Sequence, residues 1–156
     1  MRKIDLIVIH CSATRENTDY SPEQLESDHK ARGFLRTGYI FFIRKSGEVV
    51  NLRPLEQIPA HASGHNKHSI GICYEGGLDI TGQSRDTRTQ AQKTSLLRLI
   101  RHLLICFPGS WVCGHRDLSE DLNGDGTISP DEWIKQCPSF NAISEYKELV
   151  YELRKK

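Results

Sequence analysis

The sequence lacks long apolar segments, paired cysteines and an excess of charge of either sign. Its longest apolar runs, such as Leu6–Ile9 and Leu103–Phe107, are far shorter than the roughly 20 residues that span a membrane. Lys and Arg total 21 residues and Asp and Glu total 20, which gives a net charge of +1. Affinity that depends on a strong positive field is therefore not expected. We expect neither nucleic acid nor a membrane as a partner.

The five cysteines, at positions 11, 73, 106, 113 and 137, are odd in number and form no Cys-x-x-Cys pair. This pattern indicates free thiols, and those at 73 and 106 are expected in the core. The first residues contain no apolar stretch as long as that of a signal peptide, so we expect synthesis in the cytoplasm without one. A chain of 156 residues, 37% of them hydrophobic, is sufficient for one domain, and we expect a monomer.

Short β-branched segments alternate with amphipathic segments along the chain. Strands are predicted at residues 4–9, 69–74 and 111–113, and a hairpin at 38–52. Capping residues predict helices over 22–32 and 90–107. A last helix is predicted from an apolar stripe that consists of Tyr146, Leu149, Val150 and Leu153. This alternation favours an α/β fold with a single domain, residues 1–156, and a central mixed β-sheet flanked by helices.

Two histidines and one cysteine occupy positions typical of a metal site. His10 directly follows the first predicted strand, His115 follows the strand at 111–113, and Cys137 lies in a loop before a proline. Strand ends hold side chains rigidly, and two imidazoles with one thiolate are a ligand set of catalytic zinc, with water as fourth ligand. Cys113, two residues before His115, is the alternative thiol ligand. Cys11 should point to the face of the strand opposite His10.

Six short motifs occur in an order and at spacings that resemble one known family. They are Val8-Ile9-His10-Cys11-Ser12, Gly38-Tyr39-Ile40-Phe41, Ala60-His61-Ala62-x-Gly64-x-Asn66, Ser69-Ile70-Gly71-Ile72, Gly114-His115-Arg116-Asp117 and Lys135-x-Cys137-Pro138-Ser139-Phe140. Over about residues 4–140, the chain resembles the zinc-dependent N-acetylmuramoyl-L-alanine amidases of the phage-lysozyme and peptidoglycan-recognition-protein family. Members often have a histidine after the Gly-Tyr pair, and this chain departs from them with Ile40.

The resemblance implies roles for seven residues. By position they are the zinc ligands His10, His115 and Cys137, the catalytic residues Tyr39 and Lys135, and the substrate-binding residues His61 and Asn66. The implied reaction is hydrolysis of the amide bond between N-acetylmuramic acid and L-alanine in peptidoglycan. Zinc would polarise the carbonyl and activate water, and Lys135 would stabilise the oxyanion that develops. Tyr39 would orient the water or donate to the same oxygen.

Residues 121–132 match the twelve-residue calcium loop of an EF-hand. The ligand positions are occupied by Asp121, Asn123, Asp125, Thr127 and Glu132. The helix that normally precedes such a loop is not predicted, because residues 114–120 carry strand-end and turn signals. We hypothesise that this loop is inserted in the amidase domain. Binding of Ca²⁺ would then position Lys135 and Cys137, which follow the loop.

Several interpretations remain open from the sequence alone. Lys135 taken without the resemblance would be the solvated end of a polar helix, and a second metal site among His61, His65 and His68 is not favoured. A cytosolic amidase that recycles muropeptides would use the same residues on soluble fragments. A non-catalytic peptidoglycan-binding module would have lost a metal ligand, and a calcium sensor would depend on one unpaired loop. The favoured hypothesis is an endolysin-like phage or prophage enzyme that acts on peptidoglycan after its release from the cytoplasm.

Overall fold

Strands and helices alternate along the chain in the computed structural model, which describes all 156 residues. The helices are α1 (Pro22–Ala31), α2 (Gln90–Cys106) and α3 (Ala142–Arg154). The strands are β1 (Leu6–Cys11), β2 (Thr14–Arg15), β3 (Phe41–Ile43), β4 (Val49–Asn51), β5 (Ser69–Tyr74), β6 (Gly77–Leu78) and β7 (Trp111–Gly114). No helix combines the length and the apolar character that crossing a membrane requires.

Five strands form one sheet in the order β4-β3-β5-β1-β7. Strand β1 pairs in parallel with β5 on one side and with β7 on the other, whereas β3 and β4 form an antiparallel hairpin. The short strands β2 and β6 form a separate parallel pair. The predicted single-domain α/β fold, with a central mixed sheet and flanking helices, is therefore confirmed.

The two faces of the sheet have different partners. On one face, Ile7 and Ile9 of β1 pack in the main core with apolar residues of α2 and α3. On the other face, Phe42 and Cys73 pack against Leu25 of α1. Because successive side chains of a strand alternate between faces, His10 lies on the α1 side, in register with Cys73, while Cys11 joins the main core. The predicted opposite orientation of His10 and Cys11 is confirmed.

Local sequence signals account for the helix starts. The Ser21 hydroxyl caps α1 by accepting the backbone N–H of Gln24, and Thr89 and Gln92 form the expected reciprocal capping box at α2. These side chains satisfy backbone donors that have no partner inside the helix. The starts of α1 and α2 were therefore predictable from capping residues.

Two local expectations are wrong. Cys106 was expected in the core but is exposed, because it lies at the last position of α2 and its sulfur faces His102 Nε2 at 3.6 Å. Lys135 does not end a polar helix, because the only regular structure in that segment is a single 3-10 turn at residues 130–132. As expected, no α-helix precedes the loop at 121–132, where a 3-10 turn at 115–118 follows β7.

Candidate active site

The structure brings His10, His115 and Cys137 together at one edge of the sheet. His10 is at the end of β1, and His115 directly follows β7, the parallel neighbour of β1, so both strands deliver their imidazoles to the same edge. The loop before α3 supplies Cys137. One ligand atom from each residue lies within 4.8 Å of the other two, and no other three His, Cys, Asp or Glu residues meet in this way. Cys113, the alternative ligand, is buried outside this group.

A cavity of about 200 Å³ opens beside this group. Its lining contains three residues expected in the site besides the metal ligands, namely Tyr39, His61 and Lys135. The Tyr39 ring lies 4.9 Å from the His10 ring, between centroids, and Lys135 is an exposed side chain. The cavity therefore offers a phenol and an ammonium group next to the cluster of possible metal ligands.

Burial keeps the imidazoles of this site neutral. Removal from water lowers the pKa of His10, which is also close to His61 and His115. Burial, and to a smaller extent the positive charge of Lys135, lower the pKa of His115 to about 4. Burial lowers the pKa of His61 to about 3. At pH 7 these rings are therefore neutral, which is the state that binds a metal.

The surroundings of Cys137 favour the protonated thiol, so a bound cation would be needed to form the thiolate. Contact with the Cys11 side chain and burial both raise the pKa of the Cys137 thiol. The backbone N–H of Cys11 donates to Cys137 Sγ at 3.2 Å and orients the sulfur. Two neutral imidazoles and one thiol that a divalent cation can deprotonate fit a zinc site with three protein ligands and one open position.

His61 and Asn66 lie in one turn that folds over the sheet. His61 is 9% exposed, and its ring contacts His10 and Ser69 through its two nitrogens. Asn66 Oδ1 accepts the backbone N–H groups of His61 and Ala62 at 2.8 and 3.0 Å, so it closes the turn. Asn66 is not among the residues that line the cavity. The substrate-binding role expected for both residues stays a prediction.

Sequence reasoning missed the polar side chains of His29 and Arg32 in the lining of the cavity. His29 is 3% exposed, and its Nδ1 accepts the backbone N–H of Gly38 at 2.8 Å, directly before Tyr39. The signal was its spacing, because His29 lies four residues after the buried Leu25 on the same face of α1. This spacing predicts that His29 faces the sheet beside Leu25, but nothing in the sequence links it to the site.

The loop at residues 121–132 folds around its own acidic side chains. Asp121 accepts the backbone N–H groups of Gly124 and Gly126, and Glu132, only 6% exposed, accepts those of Leu122 and Asn123. The carboxylate oxygens of the loop do not meet within 4.8 Å as the His and Cys atoms do. The calcium hypothesis for this loop stays a prediction.

Comparison with known proteins now identifies the class. The sequence pattern of the N-acetylmuramoyl-L-alanine amidase family matches residues 1–138, and the chain belongs to that family. It is similar to the endolysin of Klebsiella phage KP32, with 33% identity over 146 residues that cover 92% of this chain and 87% of the endolysin.

Two further amidases show the range of this similarity. The structure resembles the N-acetylmuramoyl-L-alanine amidase LysC from Clostridium intestinale, with a TM-score of 0.73, 26% identity, and coverage of 97% of this chain and 87% of LysC. The 1,6-anhydro-N-acetylmuramyl-L-alanine amidase AmpD of Salmonella typhimurium is 25% identical over 126 residues, which cover 74% of this chain and 63% of AmpD.

Proposed function

We propose that this protein is a zinc-dependent amidase that hydrolyses the bond between N-acetylmuramic acid and L-alanine in peptidoglycan. The observation that carries the proposal is the group of His10, His115 and Cys137, whose ligand atoms lie within 4.8 Å of one another beside a cavity. Membership of the amidase family supplies the substrate class. The presence of all three ligand candidates argues against a binding module without catalytic activity.

The residues around the cavity would have different roles in amide hydrolysis. Zinc held by His10, His115 and Cys137 would supply Lewis-acid chemistry towards the carbonyl and the attacking water. Lys135 carries the positive charge that stabilises the oxyanion as the carbonyl becomes tetrahedral. Burial raises the pKa of Tyr39, so its phenol stays protonated and can hold the water or donate to the same oxygen.

The comparisons favour a cell-wall lytic role over the recycling of muropeptides. Similarity to the phage endolysin extends over 92% of this chain and 87% of the endolysin, at 33% identity. Similarity to AmpD is lower, at 25%, and leaves more than a third of AmpD unmatched. We therefore propose that the protein is made in the cytoplasm and acts on the wall after release. Recycling of soluble muropeptides in the cytoplasm is the second candidate.

Purified peptidoglycan sacculi distinguish these functions directly. We expect the zinc-loaded protein to release stem peptides with new L-alanine amino termini, without new reducing sugar ends, because the amide bond is cleaved and the glycan is not. Amino groups and reducing ends would be quantified separately, and metal content would be measured in the same sample. Hydrolysis of soluble muropeptides without any release from sacculi would favour recycling. No cleavage of either substrate by zinc-loaded protein would contradict the amidase proposal.

We further propose that the loop at residues 121–132 binds Ca²⁺. Support comes from its twelve-residue pattern and from the direction of Asp121 and Glu132, whose carboxylates point into the loop towards its backbone N–H groups. Lys135 and Cys137 follow within five residues of Glu132. Ordering of the loop by calcium would therefore reduce the motion of both residues.

Calorimetric titration of zinc-loaded protein tests the calcium site. We expect one calcium ion to bind and the melting temperature to rise, because a ligand that binds only the folded state stabilises it. Asp125→Asn removes a proposed ligand charge and should weaken binding. Asp131→Asn, which changes a neighbouring carboxylate outside the ligand positions, should not. Absence of both calcium heat and a melting shift in the unmodified protein would refute the hypothesis.

A further inference from the structure

A buried chain of polar contacts joins His10 to His61 and Ser69. His10 Nε2 and His61 Nδ1 lie 2.8 Å apart, and His61 Nε2 and Ser69 Oγ lie 2.9 Å apart. His10 is 1% exposed and Ser69 is fully buried. These groups therefore have each other, and not water, as partners. The substrate-binding role expected for His61 does not account for these two contacts, and Ser69 has no assigned role in the proposed reaction.

The shape of the backbone fixes His61 in this position. Its ring lies flat against Gly71 of β5, where a Cβ atom would come within 2.6 Å of His61 Cγ. Its backbone N–H is held by Asn66 Oδ1 at 2.8 Å. Glycine at position 71 is required for this close approach, because a larger side chain would displace the imidazole. Gly71 and Asn66 together therefore hold the His61 ring in contact with His10.

Hydrogen bonding along this chain has two possible directions, because a neutral imidazole has one N–H and one lone pair. In the first, His10 Nε2–H donates to His61 Nδ1, and His61 Nε2–H donates to Ser69 Oγ. In the second, the Ser69 hydroxyl donates to His61 Nε2, and His61 Nδ1–H donates to His10 Nε2. The second direction leaves the proton of His10 on Nδ1. Only the first gives His10 a free nitrogen lone pair, on Nδ1, for a metal.

We propose that His61 is a positioning residue that holds His10 as its Nε2–H tautomer and so presents Nδ1 to the metal. Ser69 completes this arrangement as the acceptor for the second N–H. This inference rests on the proposed zinc site. Neighbouring groups of this kind fix the ring orientation of metal-binding histidines and increase the basicity of the ligand nitrogen. In this role His61 acts through His10 and needs no contact with the reacting atoms.

Zinc affinity and the tautomer of His10 together test this role. We expect His61→Leu to raise the zinc dissociation constant about 10–100-fold, the usual cost of losing such a partner. His61→Asn should restore most of the affinity, because its amide oxygen occupies the position of Nδ1 and can accept the His10 Nε2–H. His102→Leu, which removes an exposed imidazole on α2, is the matched control and should leave affinity unchanged. Competition with a chelating indicator would measure each constant.

Nitrogen NMR of the unmodified, zinc-loaded protein provides a second readout that does not depend on any variant folding. We expect the His10 proton on Nε2 and the metal on Nδ1. Equal zinc affinity of His61→Leu and the unmodified protein would overturn the inference, and so would a proton on His10 Nδ1. Either result would leave the proposed function intact if the unmodified protein binds zinc and cleaves peptidoglycan. Failure of the unmodified protein to bind zinc would overturn both.

Discussion

Replacing Cys137 with alanine should abolish zinc binding and peptidoglycan hydrolysis. The thiolate is the only negatively charged ligand in the proposed set, and its loss leaves two neutral imidazoles to hold a divalent cation. The loss of affinity should exceed the ~10–100-fold typical of residues that only support a ligand. Elemental analysis after dialysis would measure zinc per chain, and release of stem peptides from sacculi would measure activity.

Cys113→Ala is the control that separates the two candidate thiols. Cys113 lies two residues before His115 and is buried, but its sulfur is outside the group formed with His10. We expect this variant to keep one zinc ion per chain and to keep its activity, with a lower melting temperature because a buried side chain is truncated. Zinc retained in Cys137→Ala and lost in Cys113→Ala would show that the ligand assignment is wrong.

The parts of the fold that sequence reasoning predicted well are those set by local chemistry. The β-branched segments predicted as strands form β1 and β5, and the Thr89 capping box marks the start of α2. The segment around Lys135 was mispredicted because polar residues are compatible with both a helix and a loop. Cys106 was misplaced because an apolar run at the end of a helix does not show which residues face solvent.

The candidate site shows the same division between local and long-range information. Positions after predicted strands suggested His10 and His115, the family resemblance implied all three ligands with Cys137, and the structure brings them together. The contact between His10 and His61 joins residues 51 positions apart and depends on a turn that folds onto β5. A glycine at position 71, inside a buried strand, was the one sequence signal of that close approach. Its partner could not be inferred without the fold.

Lys135→Ala should leave zinc binding intact while lowering kcat. Lys135 lines the cavity, and its positive charge is near enough to lower the pKa of His115, but its amine is not part of the metal-ligand group. Loss of one donor to a developing oxyanion typically costs about 10²–10³-fold in kcat. Steady-state rates on soluble muropeptides, together with zinc per chain, would measure both effects.

Lys135→Arg distinguishes charge stabilisation from simple packing or substrate binding. Arginine retains a positive donor, so we expect it to recover much of the rate that alanine loses, whereas a neutral side chain of similar length, as in Lys135→Met, should not. A rise in KM with unchanged kcat would assign Lys135 to substrate binding instead, because such an effect removes ground-state and transition-state contacts equally. Loss of zinc from the alanine variant would show that Lys135 maintains the position of Cys137, two residues further along the chain.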